Sequence, residues 1–200
     1  MYRLAPQQQF VLASSSPRRR ELLAACGLQP RIVVSHTDEA VLPGEAPQQL
    51  VERLAALKAS AVALQHRTAW VLGGDTIVVL DGKILGKPES PAHAEAMLQS
   101  MQGRSHEVWG AFAVINIERG MTVTRSHRSR VTMVSMSAAR IRAYVATGEP
   151  LDKAGSYALQ GIGAGLVSAV EGSPTNVIGL NIPAVLAELE GLGVIEVAGV

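Results

Sequence analysis

The sequence contains one cysteine, Cys26, among its 200 residues. A lone cysteine excludes an internal disulfide bond and a zinc site built from several cysteines, so we expect Cys26 to fill space in the core. No apolar run reaches the roughly 18 residues that a membrane-spanning helix requires. Residues 1–9 also lack the charged start and apolar centre of a signal peptide. We therefore expect a cytoplasmic protein that does not enter a membrane.

An excess of charge of one sign is also lacking. Lys and Arg number 18 against 17 Asp and Glu, which gives a formal net charge of +1. This balance excludes a general electrostatic attraction to nucleic acid, so any anion must be bound by a local cluster. With 48% hydrophobic residues over 200 positions, the chain has the composition of a globular protein and is long enough for one large core or two small lobes.

Several familiar catalytic patterns are missing as well. The five histidines show neither metal-ligand spacing nor a nucleophile partner, so we interpret them as structural. The sequence GIGAG at residues 161–165 lacks the preceding strand and following helix of a dinucleotide site. A phosphate-binding P-loop is absent from the sequence too.

What the chain does contain near its start is the sequence FVLASSSPRRRELL, an apolar strand that leads into a helix. Ser16 is placed to cap this helix, and Pro17 suits its first position. The helix N-terminus would then face the hydroxyl group of Ser14 and the guanidinium groups of Arg18 and Arg19. The alternative is an exposed basic first turn, but arginines at a helix N-terminus oppose the dipole. This pattern favours an anion site, and arginine can grip phosphate through two parallel bonds.

Strands and helices alternate along the rest of the chain. Leu50, Leu54, Leu57, Ala61 and Leu64 fall at helical spacing and predict the buried stripe of one helix. Turn and breaker residues separate the remaining segments. We predict strands that begin at residue 10 and that cover 30–35, 69–80, 83–85, 107–118, 121–134 and 166–170. We predict helices that begin at residue 17, that cover 47–66, 91–101 and 182–189, and that run from the cap Ser137 to near residue 148. A loop or broken strand is predicted over 151–165 and a turn over 172–176. The alternation, with one antiparallel hairpin pair inserted, predicts an α/β fold with a mixed, twisted sheet flanked by helices.

Asp75 lies in the middle of an apolar strand, where a carboxylate must be either paired or functional. Gly73 and Gly74 precede it and indicate that a ligand or metal approaches the backbone closely. The alternative is an ordinary aspartate at a bend, paired with Arg or Lys. Asp38 and Glu39 follow an earlier strand, and one of them could join Asp75 in binding Mg²⁺, which takes one or two carboxylates beside phosphate oxygens and water.

Lysine is scarce, with four residues against fourteen arginines. Lys87 lies in a Gly-Lys-Pro turn, Lys153 lies in Leu-Asp-Lys-Ala-Gly, and Lys58 lies beside the predicted helix stripe. A single lysine of this kind is more typical of a solvated surface, but three of them with an anion site favour phosphate contact. Gln160 can hydrogen-bond the edge of a nucleobase and Thr76 can add a hydroxyl group, although both residue types are more often structural.

Taken together, these segments resemble the Maf family. The matching blocks occur in order between residues 10 and 189, and they are more specific as a set than any one alone. They are Ser-x-Ser-Pro-Arg-Arg at 14–19, Asp-Glu at 38–39, Lys58, Gly-Asp-Thr at 74–76, Gly-Lys-Pro at 86–88, Asp-Lys-Ala-Gly-x-Tyr-x-x-Gln-Gly at 152–161 and Val-Ile-Gly-Leu at 177–180. The resemblance implies an elongated, two-lobed, Maf-like (ITPase-like) fold with a central cleft. Residues 1–200 would then form a single catalytic domain, whose lobes are not separable as independent domains.

The resemblance also implies an activity. Maf proteins are nucleoside triphosphate pyrophosphatases, which release a nucleoside monophosphate and pyrophosphate with the help of a divalent cation, here Mg²⁺ or Mn²⁺. At three positions thought to set base choice, Arg18, Thr76 and Gln160, the sequence is similar to the branch that acts on dTTP and UTP, or on modified pyrimidine nucleotides. The 7-methyl-GTP branch has Trp before the arginine pair, Gln after the Asp and Glu in place of Gln160. A second alternative is a non-catalytic nucleotide-binding regulator of septum formation, against which the complete set of acidic and basic residues argues.

The resemblance assigns a role to each candidate residue. The catalytic set is Asp75, Lys58, Lys87 and Arg19; the substrate-binding set is Ser14, Ser16, Arg18, Thr76, Lys153 and Gln160; and the metal ligands are Glu39 and Asp75. The expected partner is the nucleoside triphosphate, without nucleic acid or membrane. Trp109 and Phe112 fit either a homodimer surface or the core. Asn181 stands where family members usually have Pro.

Overall fold

The computed structural model describes residues 1–199, which form nine β-strands, six α-helices and three short 3₁₀ helices. The strands are β1 (Tyr2–Leu4), β2 (Phe10–Ala13), β3 (Arg31–Ile32), β4 (Trp70–Leu80), β5 (Lys83–Leu85), β6 (Ser105–Asn116), β7 (Met121–Met133), β8 (Val167–Glu171) and β9 (Ile195–Val197). The α-helices are α1 (Pro17–Ala25), α2 (Pro47–Ala63), α3 (Pro91–Met101), α4 (Ala138–Ala146), α5 (Pro174–Ile178) and α6 (Ile182–Gly191). The 3₁₀ helices cover Glu149–Asp152, Ala154–Ser156 and Gly161–Leu166. None of the helices in this described part is long and apolar enough to cross a membrane.

Seven of the strands form one mixed sheet, in the order β3-β2-β4-β6-β7-β8, with β5 paired to β4. β2 runs parallel to both of its neighbours, so that Val11 lies opposite Arg31 on β3 and Val71 on β4. β5 is antiparallel to β4 and places Leu85 opposite Val78. The predicted α/β fold with a mixed sheet is therefore confirmed.

Most of the predicted elements are confirmed, including α3 and the strands β4 and β5. Gly27 follows the end of α1 and has a φ of 93°, which a residue with a side chain would disfavour. The strand predicted over 30–35 is shorter, because β3 is an edge strand whose Arg31 and Ile32 are both exposed. The predicted turn at 172–176 is wrong, since α5 begins at Pro174. β1 and β9 pair with each other as a separate two-stranded sheet that the sequence analysis did not predict.

The chain divides into two compact units. Unit 1 contains Met1–Asp75, Gly110–His127 and the residues from Gly179 onward, whereas unit 2 contains Thr76–Trp109 and Arg128–Ile178. β4, β6 and β7 each supply residues to both units. That residues 1–200 form one catalytic domain stays a prediction, as do the elongated shape and the cleft.

The core of unit 1 forms around the apolar residues of β2, β4, β6 and α6. Trp70 and Phe112 are each 1% exposed, and Cys26 packs against this core as a partly buried residue. Val185 and Leu189 lie four positions apart, so they share the face of α6 that is buried here. Phe112 is thus a core residue, and the homodimer stays a prediction.

The core of unit 2 combines α3 and α4 with the strand residues of that unit, and it includes Leu98, Val131 and Ile141. His106 is 3% exposed, and its Nε2 atom lies 2.8 Å from the Tyr157 hydroxyl group. Burial lowers the pKa of His106 to about 4. This histidine is therefore neutral near pH 7, in agreement with the structural role predicted for it.

Candidate active site

The Ser-Pro-Arg turn is built on a buried strand end. Ser14 follows β2 directly and is 6% exposed, and its Oγ atom accepts a hydrogen bond from the Ser16 N–H at 3.2 Å. α1 begins at Pro17 as predicted, but the capping bond predicted for the Ser16 side chain is wrong. Ser14 instead holds this turn through its own side chain, in the arrangement known as a Ser/Thr turn. The backbone therefore reaches Pro17 without a capping bond from Ser16.

Arg19 is held by two contacts from opposite ends of the sequence. Its Nη1 atom donates to Ser14 Oγ at 3.1 Å, and its Nε atom donates to the Gly179 carbonyl at 3.0 Å. Burial lowers the pKa of Arg19 below its ordinary 12.5, and the nearby charge of Asp75 opposes this shift. A Cβ atom at Gly74 would lie 3.1 Å from Leu180 Cδ2 and 3.3 Å from the Ala111 carbonyl oxygen, so these two neighbours, and not Arg19, leave little space for a side chain there. The two hydrogen bonds of Arg19 hold its cationic group in a fixed orientation.

Lys58 and Asp75 form a buried ion pair in unit 1. The Lys58 ammonium donates to Asp75 Oδ1 at 2.7 Å, and the two side chains are 8% and 9% exposed. Glu39 Oε2 lies 2.8 Å from the same nitrogen, although the Glu39 side chain is 55% exposed. The lysine therefore bridges the two carboxylates predicted to bind a metal. Asp75 is paired, as burial of its charge requires.

Gly73 explains why Lys58 can reach Asp75. Residues 73 and 75 project from the same face of β4, because side chains alternate along a strand. A Cβ atom at residue 73 would clash with the Ala55 carbonyl and come within 2.7 Å of the Ala59 amide nitrogen. The backbone of α2 therefore packs directly on β4 at this glycine. The predicted close approach of a ligand to Gly73 is replaced by a close approach of α2.

The two carboxylates suit a hard divalent cation. Glu39 and Asp75 converge on one cationic nitrogen, so their oxygens already share the space around a positive charge. Asp38 instead accepts a hydrogen bond from the Ala40 N–H at 3.0 Å and shapes its own loop. Over residues 1–199 no group of three or more His, Cys, Asp or Glu is placed to hold a metal. Two carboxylates fit Mg²⁺, whose other ligands are phosphate oxygens and water.

Unit 2 carries the remaining candidate residues. The Gly86 carbonyl accepts a hydrogen bond from the Gly155 N–H at 3.1 Å, which joins the Gly-Lys-Pro turn to the Asp-Lys-Ala-Gly segment. Lys87 and Gln160 are exposed, and Lys153 is largely covered. The structure thus brings the segments that carry Lys87 and Lys153 together.

The candidate residues fall into two groups. Unit 1 holds Ser14, Ser16, Arg18, Arg19, Glu39, Lys58 and Asp75. Side-chain contacts join Ser14 to Arg19 and join Lys58 to both Glu39 and Asp75, the charge of Asp75 acts on Arg19, and Ser16 is joined to Ser14 through its backbone N–H. Unit 2 holds Thr76, Lys87, Lys153 and Gln160. That these two groups share one substrate stays a prediction.

The sequence analysis gave no role to two residues that position the candidate groups. The Gly179 carbonyl binds Arg19, and the Glu149 carboxylate binds backbone groups of the glycine-rich segment that follows Gln160. No local pattern marks Gly179 as a partner of a residue 160 positions away. For Glu149 the sequence does contain an indication, because this acidic residue precedes a glycine-rich segment whose backbone N–H groups can donate hydrogen bonds to a carboxylate.

Comparison with known proteins decides the family. The model of the Maf-like protein family matches residues 9–192. The chain belongs to the Maf family. A Maf relative from Geotalea uraniireducens, named dTTP/UTP pyrophosphatase, is 46% identical over 187 residues, which cover 94% of this chain and 96% of the relative. A Moorella thermoacetica protein of the same name is 51% identical over 171 residues, which cover 86% and 88% of the two chains.

A solved structure supports the fold of this Maf protein. The Staphylococcus aureus Ham1 protein aligns with a TM-score of 0.53 at 15% sequence identity, over 92% of this chain and 100% of that chain. The likeness confirms the predicted fold, and at this identity it carries no functional information.

Proposed function

We propose that this Maf protein hydrolyses dTTP and UTP to the nucleoside monophosphate and pyrophosphate. The observation that carries the proposal is the cluster in which Lys58 bridges Asp75 and Glu39. The guanidinium of Arg19 belongs to this cluster, because the charge of Asp75 raises the pKa of Arg19 against the effect of burial. Such a cluster combines cationic groups for a triphosphate with carboxylates for its counter-cation. The names and high identity of the two relatives support the choice of substrate.

The reaction requires a water molecule to attack the α-phosphorus while the bond from that phosphorus to the bridging oxygen of the β-phosphate breaks. Negative charge then develops on the phosphate oxygens and on the departing pyrophosphate. Arg19, oriented by Ser14 and Gly179, is suited to bind these oxygens through parallel hydrogen bonds. Lys58 supplies a second positive charge.

Asp75 and Glu39 are the residues that would hold Mg²⁺ or Mn²⁺. When bound, such a cation neutralises phosphate charge and helps to orient the triphosphate. Asp75 is also the group that would accept a proton from the attacking water, because it is the buried carboxylate of the cluster. Lys87 and Lys153 extend the positive charge along the triphosphate in this proposal.

Thr76 and Gln160 are the residues that we propose to read the base, together with Arg18. A pyrimidine ring with an O4 carbonyl and an N3–H presents one acceptor and one donor. The Gln160 amide offers the complementary pair. We also propose that the protein acts in the cytoplasm, where dTTP and UTP are used.

The test is release of pyrophosphate by the purified protein with Mg²⁺ on dTTP, UTP, CTP and 7-methyl-GTP. We expect turnover of dTTP and UTP, and loss of turnover when the cation is chelated with EDTA. Asp75→Asn should lower kcat by at least about 100-fold while dTTP still binds, because removal of a general base or metal ligand affects the chemical step. Asp81→Asn is the matched control, since Asp81 lies on the exposed turn after the same strand. Faster turnover of 7-methyl-GTP, or an active Asp75→Asn variant, would overturn the assignment.

A further inference from the structure

The glycine-rich segment after Gln160 is anchored by one carboxylate. Glu149 Oε1 accepts a hydrogen bond from the Ile162 N–H at 3.0 Å, and Oε2 accepts one from the Gly163 N–H at 2.8 Å. Both donors lie in the first turn of the 3₁₀ helix Gly161–Leu166, for which Gln160 is the preceding residue. A charged acceptor makes these bonds stronger than bonds between neutral groups.

The surroundings of Glu149 show that the segment is shaped around it. Gly161 has a φ of 66°, and a Cβ atom there would overlap Glu149 Oε1. The Tyr144 hydroxyl group also hydrogen-bonds to Glu149, and it accepts a bond from the Ala158 N–H at 3.1 Å. Burial raises the pKa of Glu149, but hydrogen bonds from Tyr144, Gly163 and Ile162 outweigh this effect and hold the pKa below its usual value. Glu149 is therefore a carboxylate at neutral pH.

The same residue also orients Lys153. The Lys153 ammonium donates to the Glu149 carbonyl at 2.6 Å and to Asp152 Oδ1 at 2.6 Å. An ammonium has three protons, so two of them are directed at the protein and determine where the third points. Through its carboxylate and its carbonyl, Glu149 contacts the segments of both Gln160 and Lys153.

We propose that Glu149 is a positioning residue for base selection, which holds the Gln160 amide at the height and angle needed to read a pyrimidine. This inference rests on the proposed function, in which Gln160 contacts the base. Gln160 is exposed and has no regular secondary structure of its own, so its position depends on the backbone bonds that follow it. Loss of the carboxylate frees the N–H groups of Ile162 and Gly163 and allows residues 160–163 to shift.

The test compares steady-state kinetics of Glu149→Gln with those of the unaltered protein on dTTP and on dGTP. We expect KM for dTTP to rise about tenfold, which corresponds to about 1.4 kcal/mol, with kcat changed less than about threefold. The ratio of kcat/KM for dTTP to that for dGTP should fall by a similar factor. Glu171→Gln is the control, because Glu171 is an exposed glutamate on β8 of the same unit.

A purely structural role for Glu149 would lower activity on both nucleotides equally. An unchanged selectivity ratio in a folded Glu149→Gln variant would therefore overturn the proposal. Glu149→Asp, which keeps the charge on a shorter side chain, serves as the second variant if Glu149→Gln does not fold, and it should give a smaller loss of selectivity. If the unaltered protein releases no pyrophosphate, the proposed function fails. The ratio of Kd values for dTTP and dGTP, measured by calorimetry, then tests Glu149 by itself.

Discussion

The Lys58–Asp75 pair makes a quantitative prediction about stability. Lys58→Met removes the ammonium but keeps a long side chain in the buried space against β4. It leaves Asp75, whose side chain is only 9% exposed, without the partner that lies 2.7 Å away. Removal of one member of a buried ion pair costs about 3–5 kcal/mol, because the other charge stays desolvated. We place Lys58→Met near the lower end, about 3 kcal/mol, since Arg19 still attracts Asp75.

The assay is urea unfolding monitored by tryptophan fluorescence, with a double-mutant cycle through Asp75→Asn. Asp75→Asn should cost less than Lys58→Met, because Glu39 still pairs with Lys58 at 2.8 Å. In the double variant neither charge is left buried alone, so its cost should fall short of the sum of the single costs by about 2 kcal/mol.

The control pair for this cycle is Arg104 and Asp81. Their atoms also lie 2.7 Å apart, but the two side chains are 48% and 66% exposed. An exposed pair contributes at most about 1 kcal/mol, so Arg104→Met should change the free energy of unfolding much less than Lys58→Met does. Equal losses for the two variants, or additivity of the Lys58 and Asp75 substitutions to within about 0.5 kcal/mol, would refute the reasoning.

Three further predictions follow from single residues. Gly73→Ala should lower the free energy of unfolding by about 3 kcal/mol, because α2 must move away from β4. The control Gly191→Ala should not lower it, because the space around Gly191 is open. An unchanged stability of Gly73→Ala in urea unfolding would contradict the packing described. The pKa of His106 is about 4 in the folded state and 6.5 in the unfolded state, so below pH 6.5 only the unfolded state gains the proton, and stability falls until about pH 4. Urea unfolding at a series of pH values should show that His106→Gln escapes about 3 kcal/mol of this loss. The same dependence of stability on pH in both proteins would contradict this prediction. Gln160→Glu should raise the kcat/KM ratio of 7-methyl-GTP over dTTP at least about tenfold, and an unchanged ratio removes Gln160 from base selection.

The sequence was most informative where neighbouring residues alone determine the local structure. Pro17 after three serines predicts a helix start, which is confirmed. Asp75 among apolar residues predicts a buried carboxylate that is either paired or functional, and the structure shows it buried and paired with Lys58. The predicted stripe of α2 was only half right, because Leu57 and Leu64 are exposed, whereas Lys58 lies in the buried face. Helical spacing alone could not place a lysine inside, since the reason is Asp75 on another element.

The features that sequence reasoning missed depend on contacts between distant residues. Gly73 was interpreted as space for a ligand, but the space is filled by α2, and spacing within β4 holds no information on that helix. Ser16 stands at the cap position without a capping bond, because Ser14 one residue beyond the strand already fixes the turn. Glu149 acts on backbone groups 13 and 14 positions away, a separation that no helix or strand period predicts.

The pairing of β1 with β9 has a practical consequence for topology. Tyr2 lies opposite Val197, and the Ala198 N–H donates to the Met1 carbonyl at 2.9 Å. These backbones are therefore separated by about the 4.8 Å spacing of adjacent strands. A short glycine-serine linker can therefore connect residue 198 to residue 1, and the chain can be opened at the exposed Asp81–Gly82 turn instead. A circular permutant of this kind keeps every core residue while it moves the chain ends to a surface hairpin.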